Sequence, residues 1–171
     1  MKNDPTTTTR PADELRILIG GCLDQIFSQL MAEVVKKELG YARVRVEIIE
    51  TVAEFFETAS QSRPDLFMVH LYFGNPAWET IADPITSRAE ITARIADATA
   101  SNPVLMSVFG LEIVTYLRAE FGKPVIVLTG CGDAPGRATR VEQAGASAFL
   151  ILPFTVEDFV AAVGTCMQGP I

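Results

Sequence analysis

The chain has 171 residues, 49% of them hydrophobic and 20% charged, a balance typical of one globular domain with a sizeable core. Its net charge of −7 argues against a nucleic-acid-binding surface, which needs clustered Lys and Arg. The amino terminus lacks the apolar segment of a signal peptide, and no apolar run approaches the ~18 residues that a membrane span needs. Three cysteines without a CxxC motif fit a reduced protein. We therefore expect a cytoplasmic protein with no nucleic-acid or membrane partner.

Residues 1–13 are polar, with two prolines and a run of four threonines at 6–9. Such a segment buries little apolar area, so we predict a disordered tail. The remaining residues, 14–169, are predicted to form a single domain.

In the first half of this domain, segments with the apolar pattern of a strand alternate with segments with the apolar pattern of a helix. A short apolar strand at 15–19 is followed by a segment in which apolar residues recur at three and four, which is typical of an amphipathic helix ended by Gly40. Residues 43–48 alternate polar and apolar and predict an edge strand. Thr51 is expected to cap the next helix. The apolar residues expected inside are Ile26, Phe27, Leu30, Met31, Val34 and Val35 in the first helix and Val52, Phe55, Phe56 and Ala59 in the second.

A run of large apolar residues at 65–73 is predicted to be a strand buried on both faces. Pro64 and Asp65 mark its start, and Gly74 with its neighbours ends it. Strands of this kind lie in the middle of parallel sheets, and ligands bind outside their carboxyl ends. His70, the only histidine in the chain, is placed near that end.

The second half begins with a stretch, about 75–108, that interrupts the alternation. It contains an alanine-rich helical pattern at 86–99, so we predict a helical insertion after the third strand. The pattern then predicts a helix at 104–121, a buried strand at 124–129, a helix at 133–144 and a last strand at 148–152. Thr155 and Asp158 open the final helix, with Val156, Phe159, Val160 and Val163 inward.

Five strands that alternate with helices predict an α/β fold with a doubly wound parallel sheet. The two most apolar strands belong in the middle and the alternating strand at an edge. The strand order 2-1-3-4-5 satisfies both conditions.

Four segments in this order resemble a response-regulator receiver domain. They are the strand 65–71, the Gly110-Leu111-Glu112 helix start, the strand 124–129 with its terminal threonine, and the segment 145–154 that ends in Leu152-Pro153-Phe154. The resemblance implies a flavodoxin-like, five-stranded domain of a bacterial-type signalling pathway, with protein partners and self-association into a homodimer.

The chemistry of that family needs an acid pair for Mg²⁺, an acceptor aspartate, a Thr or Ser, and a Lys, because metal and ammonium must neutralise the phosphoryl charge. By resemblance, the acid-pair positions are Gly21 and Cys22, and the acceptor position is His70. The lysine position is Leu152, and only Thr129 is retained. Phe149 stands at the aromatic switch position, where a plain core role is the alternative. The sequence therefore resembles a degenerate receiver, or pseudo-receiver.

We predict a stand-alone signalling module that acts through protein–protein contacts, without phosphorylation, cofactor or enzymatic activity. In that interpretation His70 is a neutral imidazole that fills the former acidic pocket. The alternative is a small-molecule or metal-sensing domain, because Cys22, His70 and Cys131 fall at neighbouring strand ends and thiols with imidazole bind Zn²⁺.

Overall fold

A computed structural model describes residues 13–21, 25–71, 73, 109–129 and 137–168. The predicted tail, except Asp13, and the predicted insertion at 75–108 lie outside the described residues. Among the helices described, none combines the length and the apolar character required to cross a bilayer.

The described elements alternate between strand and helix. The sheet contains five parallel strands in the order β2-β1-β3-β4-β5, which confirms the predicted doubly wound, flavodoxin-like fold. In chain order the elements are β1 (Glu14–Gly20), α1 (Gln25–Leu39), β2 (Arg43–Ile49), α2 (Val52–Ser62), β3 (Leu66–His70), α3 (Phe109–Phe121), β4 (Val125–Thr129), α4 (Arg137–Gln143), β5 (Ala148–Ile151) and α5 (Val156–Gln168).

The central strand β3 divides the core into two clusters. Phe67 and Val69 belong to the cluster on the side of α2 and α3, whereas Leu66 and Met68 belong to the cluster on the side of α1 and α5. All four side chains are fully buried. Alternate residues of a strand point to opposite faces, so a strand covered by helices on both sides must be apolar throughout.

Side-chain caps begin two of the helices as the sequence predicts. The Thr51 hydroxyl accepts a hydrogen bond from the backbone N–H of Glu54 at 3.4 Å, at the start of α2. At the start of α5, the Asp158 N–H donates to the Thr155 hydroxyl at 3.1 Å, and the Thr155 N–H donates to the Asp158 carboxylate at 3.2 Å. This reciprocal pair is a capping box, which satisfies backbone donors that the helix itself leaves without a partner.

The third strand is shorter than predicted, because the chain turns after His70. The Phe73 N–H donates to the His70 carbonyl at 2.8 Å, which closes a turn, while the Leu71 N–H still donates to the Leu128 carbonyl at 2.6 Å. Phe73 is buried nevertheless, since its ring packs edge-on against Phe55 with centroids 5.6 Å apart. The apolar run to residue 73 therefore indicates buried residues, and these belong partly to the strand and partly to the turn that follows it. The fifth strand likewise ends at Ile151, one residue earlier than predicted.

Three residues predicted to face inward are exposed. Ile26 and Leu30 of α1 are 73% and 55% exposed, and Val156 of α5 is 47% exposed. The apolar residues of α1 span about half of the helix circumference at ~100° per residue, and a helix on a sheet buries a narrower stripe. Met31 and Val35 occupy that stripe, so Ile26 and Leu30 lie outside it.

The start of α3 lies directly against the chain that leaves β3. A Cβ atom added to Gly110 would collide with the backbone carbonyl oxygen of Leu71 and would lie 3.0 Å from its carbonyl carbon. Gly110 therefore sets how closely α3 approaches the central strand.

We expect Gly110→Ala to lower the free energy of unfolding by about 2 kcal/mol, as in overpacked cores, because the Leu71 backbone cannot move aside. Gly164→Ala is the matched control, since Gly164 also lies in a helix and its nearest neighbour is the Leu39 Cδ2 atom at 3.5 Å, an ordinary contact. That variant should be stabilised by up to about 1 kcal/mol, the helix-propensity difference between the two residues. Urea unfolding of both variants measures the contrast, and equal stabilities would contradict it.

Candidate functional site

The described part of the carboxyl edge of the sheet brings together three of the residues singled out from the sequence. Gly21 follows β1, His70 ends β3 and Thr129 ends β4, and these strands are neighbours in the sheet. The register places His70 beside Leu128 and Thr129 beside Ile151. Cys22 and Cys131 lie outside the described residues.

Gly21 and His70 are in direct contact. A Cβ atom added to Gly21 would lie 2.8 Å from the Cβ atom of His70, closer than real side chains approach one another. The φ angle of Gly21 is +144°, a conformation that favours glycine, and its N–H donates to the Ile49 carbonyl at 3.0 Å. A carboxylate at position 21 is therefore incompatible with this backbone and with this position of His70.

His70 is half-buried, and burial lowers the pKa of its imidazole below the ordinary value of 6.5. Desolvation disfavours the charged form, so His70 is neutral at neutral pH. A neutral imidazole offers one donor and one acceptor nitrogen, and no charge to balance an anion.

A backbone hydrogen bond joins Thr129, the last residue of β4, to Leu152, which follows β5. Thr129 is completely buried, and its carbonyl accepts a hydrogen bond from the Leu152 N–H at 2.7 Å. Leu152, at the position where the resemblance places a lysine, is partly buried and precedes Pro153 through a cis peptide bond. Phe149 is partly buried and packs against the core cluster on the α2 and α3 side.

Glu112 is a buried carboxyl group for which the sequence predicts no role at the site. Within the described residues, the buried polar or charged side chains are Glu112, 3% exposed, and Thr129. Glu112 lies in the first turn of α3, where the positive end of the helix dipole favours a negative charge. In the sequence, Glu112 is marked by its position two residues after Gly110, the glycine that lets α3 approach the central strand closely.

The metal hypothesis of the sequence analysis stays a prediction. Across the described ranges, no three His, Cys, Asp or Glu side chains form a group that would hold a metal ion. Two of the three proposed ligands, Cys22 and Cys131, are not among those residues. Cys166 of α5 is partly buried, and burial raises the pKa of its thiol to about 11, so this thiol is protonated and unreactive.

Two grooves lie at the opposite, amino edge of the sheet. One, of about 490 Å³, is lined by residues around the end of α1, including Lys37, Gly40 and Tyr41. Another, of about 470 Å³, lies between the ends of α2 and α3 and includes Arg63 and Tyr116. Neither of these grooves includes His70 or Thr129 in its lining.

We expect Gly21→Ala to lower the free energy of unfolding by about 3 kcal/mol, because backbone strain and a close contact with His70 add. Gly40→Ala is the matched control: Gly40 also has a positive φ, +75°, but open space surrounds its missing Cβ. That variant should lose only about 1 kcal/mol from the backbone term. Chemical denaturation measures both, and equal losses would show that His70 does not resist a side chain at position 21.

We also expect His70 to make the protein less stable in acid. Because its pKa is lowered in the folded state, the unfolded chain binds the proton first as the pH falls below 6.5. The native state therefore loses stability below that pH, whereas above it both states hold neutral imidazole and no loss occurs. Relative to His70→Gln, the wild-type unfolding free energy should fall as the pH is lowered through this range. Parallel pH profiles for the two proteins would contradict this assignment.

Comparison with solved structures supports the fold. No family model matches the chain, and no curated protein sequence matches it. Among solved structures, a response regulator from Thermotoga maritima is similar with a TM-score of 0.58 and 15% identity, covering 91% of this chain and 99% of that one. The signal receiver domain of the response regulator NarL from Mycobacterium tuberculosis has a TM-score of 0.53 and 17% identity, covering 92% and 99% of the two chains.

A third similar structure is the signal receiver domain of an HD domain-containing protein from Pseudomonas fluorescens, with a TM-score of 0.56 and 12% identity over 91% of this chain and 95% of that one. At these identities the similarity establishes the fold. The chain has the fold of response-regulator receiver domains.

Proposed function

We propose that this protein is a receiver-like signalling module that acts through protein–protein contacts and does not depend on phosphorylation. The observation that carries the proposal is the contact between Gly21 and His70, at the positions where the resemblance places an acid and the phosphoacceptor. The partners are proteins of a bacterial-type signalling pathway, and the place of action is the cytoplasm. Under this proposal the protein is not an enzyme.

The charges at the carboxyl edge support phosphorylation independence. A carboxylate attacks a phosphoryl group only where a metal ion and a cationic side chain neutralise the developing charge. Mg²⁺ prefers carboxylate and other oxygen ligands, and the side-chain-free Gly21 supplies none. His70 is neutral at neutral pH, and the Leu152 side chain is apolar. Thr129 alone retains the type of side chain that the family uses, and a hydroxyl carries no charge.

Exposed apolar residues support a role in protein contacts. Ile151 and Val156 are 38% and 47% exposed, at the end of β5 and the start of α5. The resemblance predicts self-association on a surface that also includes Phe149 and Phe154. Both of these are partly buried, and the Phe154 ring packs against Phe27 and Phe159 with centroids 5.9 Å away in each case. We propose that a homodimer forms.

We expect neither acetyl phosphate nor beryllofluoride with Mg²⁺ to modify or bind the protein. Intact mass spectrometry should show no phosphorylated species, and amide NMR spectra should show no saturable shift at the residues around His70. A receiver domain that retains all five side chains serves as the positive control in the same buffers.

The variant His70→Asp sharpens this experiment, because it restores the acceptor alone. We expect it to remain unmodified, since no ammonium group and no acid pair accompany the new carboxylate. A Mg²⁺-dependent phosphorylated species in either protein would contradict phosphorylation independence, and in the variant it would reveal that other groups of the chain supply the missing charge.

A further inference from the structure

Helix α1 presents a stripe of exposed residues that changes from apolar to charged along its length. Ile26, Leu30, Glu33 and Lys37 recur at intervals of four, three and four, so they lie on one side of the helix. We call these four residues the α1 stripe. Ile26 is 73% exposed and Leu30 is 55% exposed, whereas Met31 and Val35 of the same helix are buried against the sheet.

The apolar end of the α1 stripe lies beside the start of α5. The Phe27 ring packs against the Phe154 ring at 5.9 Å, which joins the first turn of α1 to the loop that precedes α5. Val156, two residues later, is 47% exposed. Single exposed apolar residues are ordinary on a monomer, but three of the four large ones in the described ranges belong to the first half of α1 and the start of α5.

Charges of opposite sign occupy the two ends of this surface. Glu157 and Asp158 lie in the first turn of α5, and Lys36 and Lys37 lie in the last turn of α1 beside Glu38. Both helices follow parallel strands and pack on the same core cluster, so they begin at the same edge of the sheet. At ~1.5 Å per residue the acidic and basic ends are roughly 20 Å apart, the length of α1. The ion pair between Lys37 and Glu38 is exposed on both sides and contributes little.

We propose that a second copy of the chain docks on this surface, with the two α1 helices antiparallel about a two-fold axis near Leu30. In such an interface a residue i contacts j of the partner while j contacts i. A copy rotated in this way brings Lys37 at the end of one α1 towards the acidic start of the other α5, with the two Leu30 side chains at the centre. A parallel arrangement would oppose each Glu33 and each Lys37 to its own counterpart, and like charges at an interface are unfavourable.

This inference rests on the proposed function, since it assumes that the protein works through contacts, and it specifies the surface. It differs from the surface centred on Phe149 and Phe154, because those rings are already partly buried against their own domain. The α1 stripe instead exposes two large aliphatic side chains that can be buried without unfolding any local packing.

The first experiment measures the dimer dissociation constant of the full chain by sedimentation equilibrium. Leu30→Glu should weaken the dimer by roughly tenfold or more, as expected for a residue at the centre of a small interface. Gln29→Glu is the matched control, because it adds the same charge to an exposed position of the same helix, outside the stripe. Circular dichroism checks that both variants remain folded. We expect them to fold, because both substituted side chains are exposed.

The second experiment exchanges the charges. Reversing both lysines (Lys36→Glu with Lys37→Glu) should weaken the dimer, and adding Glu157→Lys should restore part of the affinity, because an attractive pair replaces a repulsive one. Asp158 is left unchanged, since its carboxylate accepts the Thr155 N–H in the capping box of α5.

A protein that stays monomeric at hundreds of micromolar would overturn the inference. It would also be overturned if Ile151→Glu abolished the dimer while Leu30→Glu did not, although self-association itself would then stand on another surface. Failure of rescue by Glu157→Lys would overturn the antiparallel arrangement. None of these results bears on phosphorylation independence, which the beryllofluoride experiment tests separately.

Discussion

The burial of β3 from Leu66 to Val69 is the constraint on which the rest of the structure depends. Its side chains enter both core clusters, and its backbone is hydrogen-bonded to β1 on one side and β4 on the other. Neighbouring strands pair its backbone, and helices must cover both faces of the sheet because its side chains are shielded from solvent on both faces. The same burial fixes where the strand ends, and therefore where His70 emerges at the carboxyl edge.

At that edge the residues on neighbouring strands constrain one another. With His70 in place, position 21 admits no side chain, and the positive φ of Gly21 favours the one residue that lacks a Cβ atom. This restriction on position 21 does not depend on the imidazole, because the contacting atom is the Cβ of residue 70, which every residue except glycine carries. An aspartate at position 70 would meet no side chain at Gly21, whereas a side chain at position 21 would meet the Cβ atom of residue 70 in either case.

Much of the fold follows from local patterns in the sequence. The uninterrupted apolar runs identify β3 and β4, the alternation at 43–48 identifies the edge strand, and Thr51 and Thr155 mark helix starts through their hydroxyl groups. Other features depend on residues that are distant in the chain. The turn after His70 looks like strand because Leu71 and Phe73 are buried by α2, α3 and β1. The exposure of Ile26 and Leu30 depends on which part of a wide apolar face meets the sheet, and periodicity alone does not determine this.

These features together bear on how such a domain transmits a signal under the proposed function. A partner shifts a conformational equilibrium only by the difference in its affinity for the two states. In a phosphorylated receiver the added charge supplies that difference at the pocket, but a neutral imidazole against a glycine offers no comparable change. The difference in affinity must then arise at exposed side chains whose surroundings change when a partner binds. In the described part of the chain, the exposed aliphatic residues of α1, β5 and α5 meet that requirement. Regulation by association would make the concentration of the partner, or of the protein itself, the input signal.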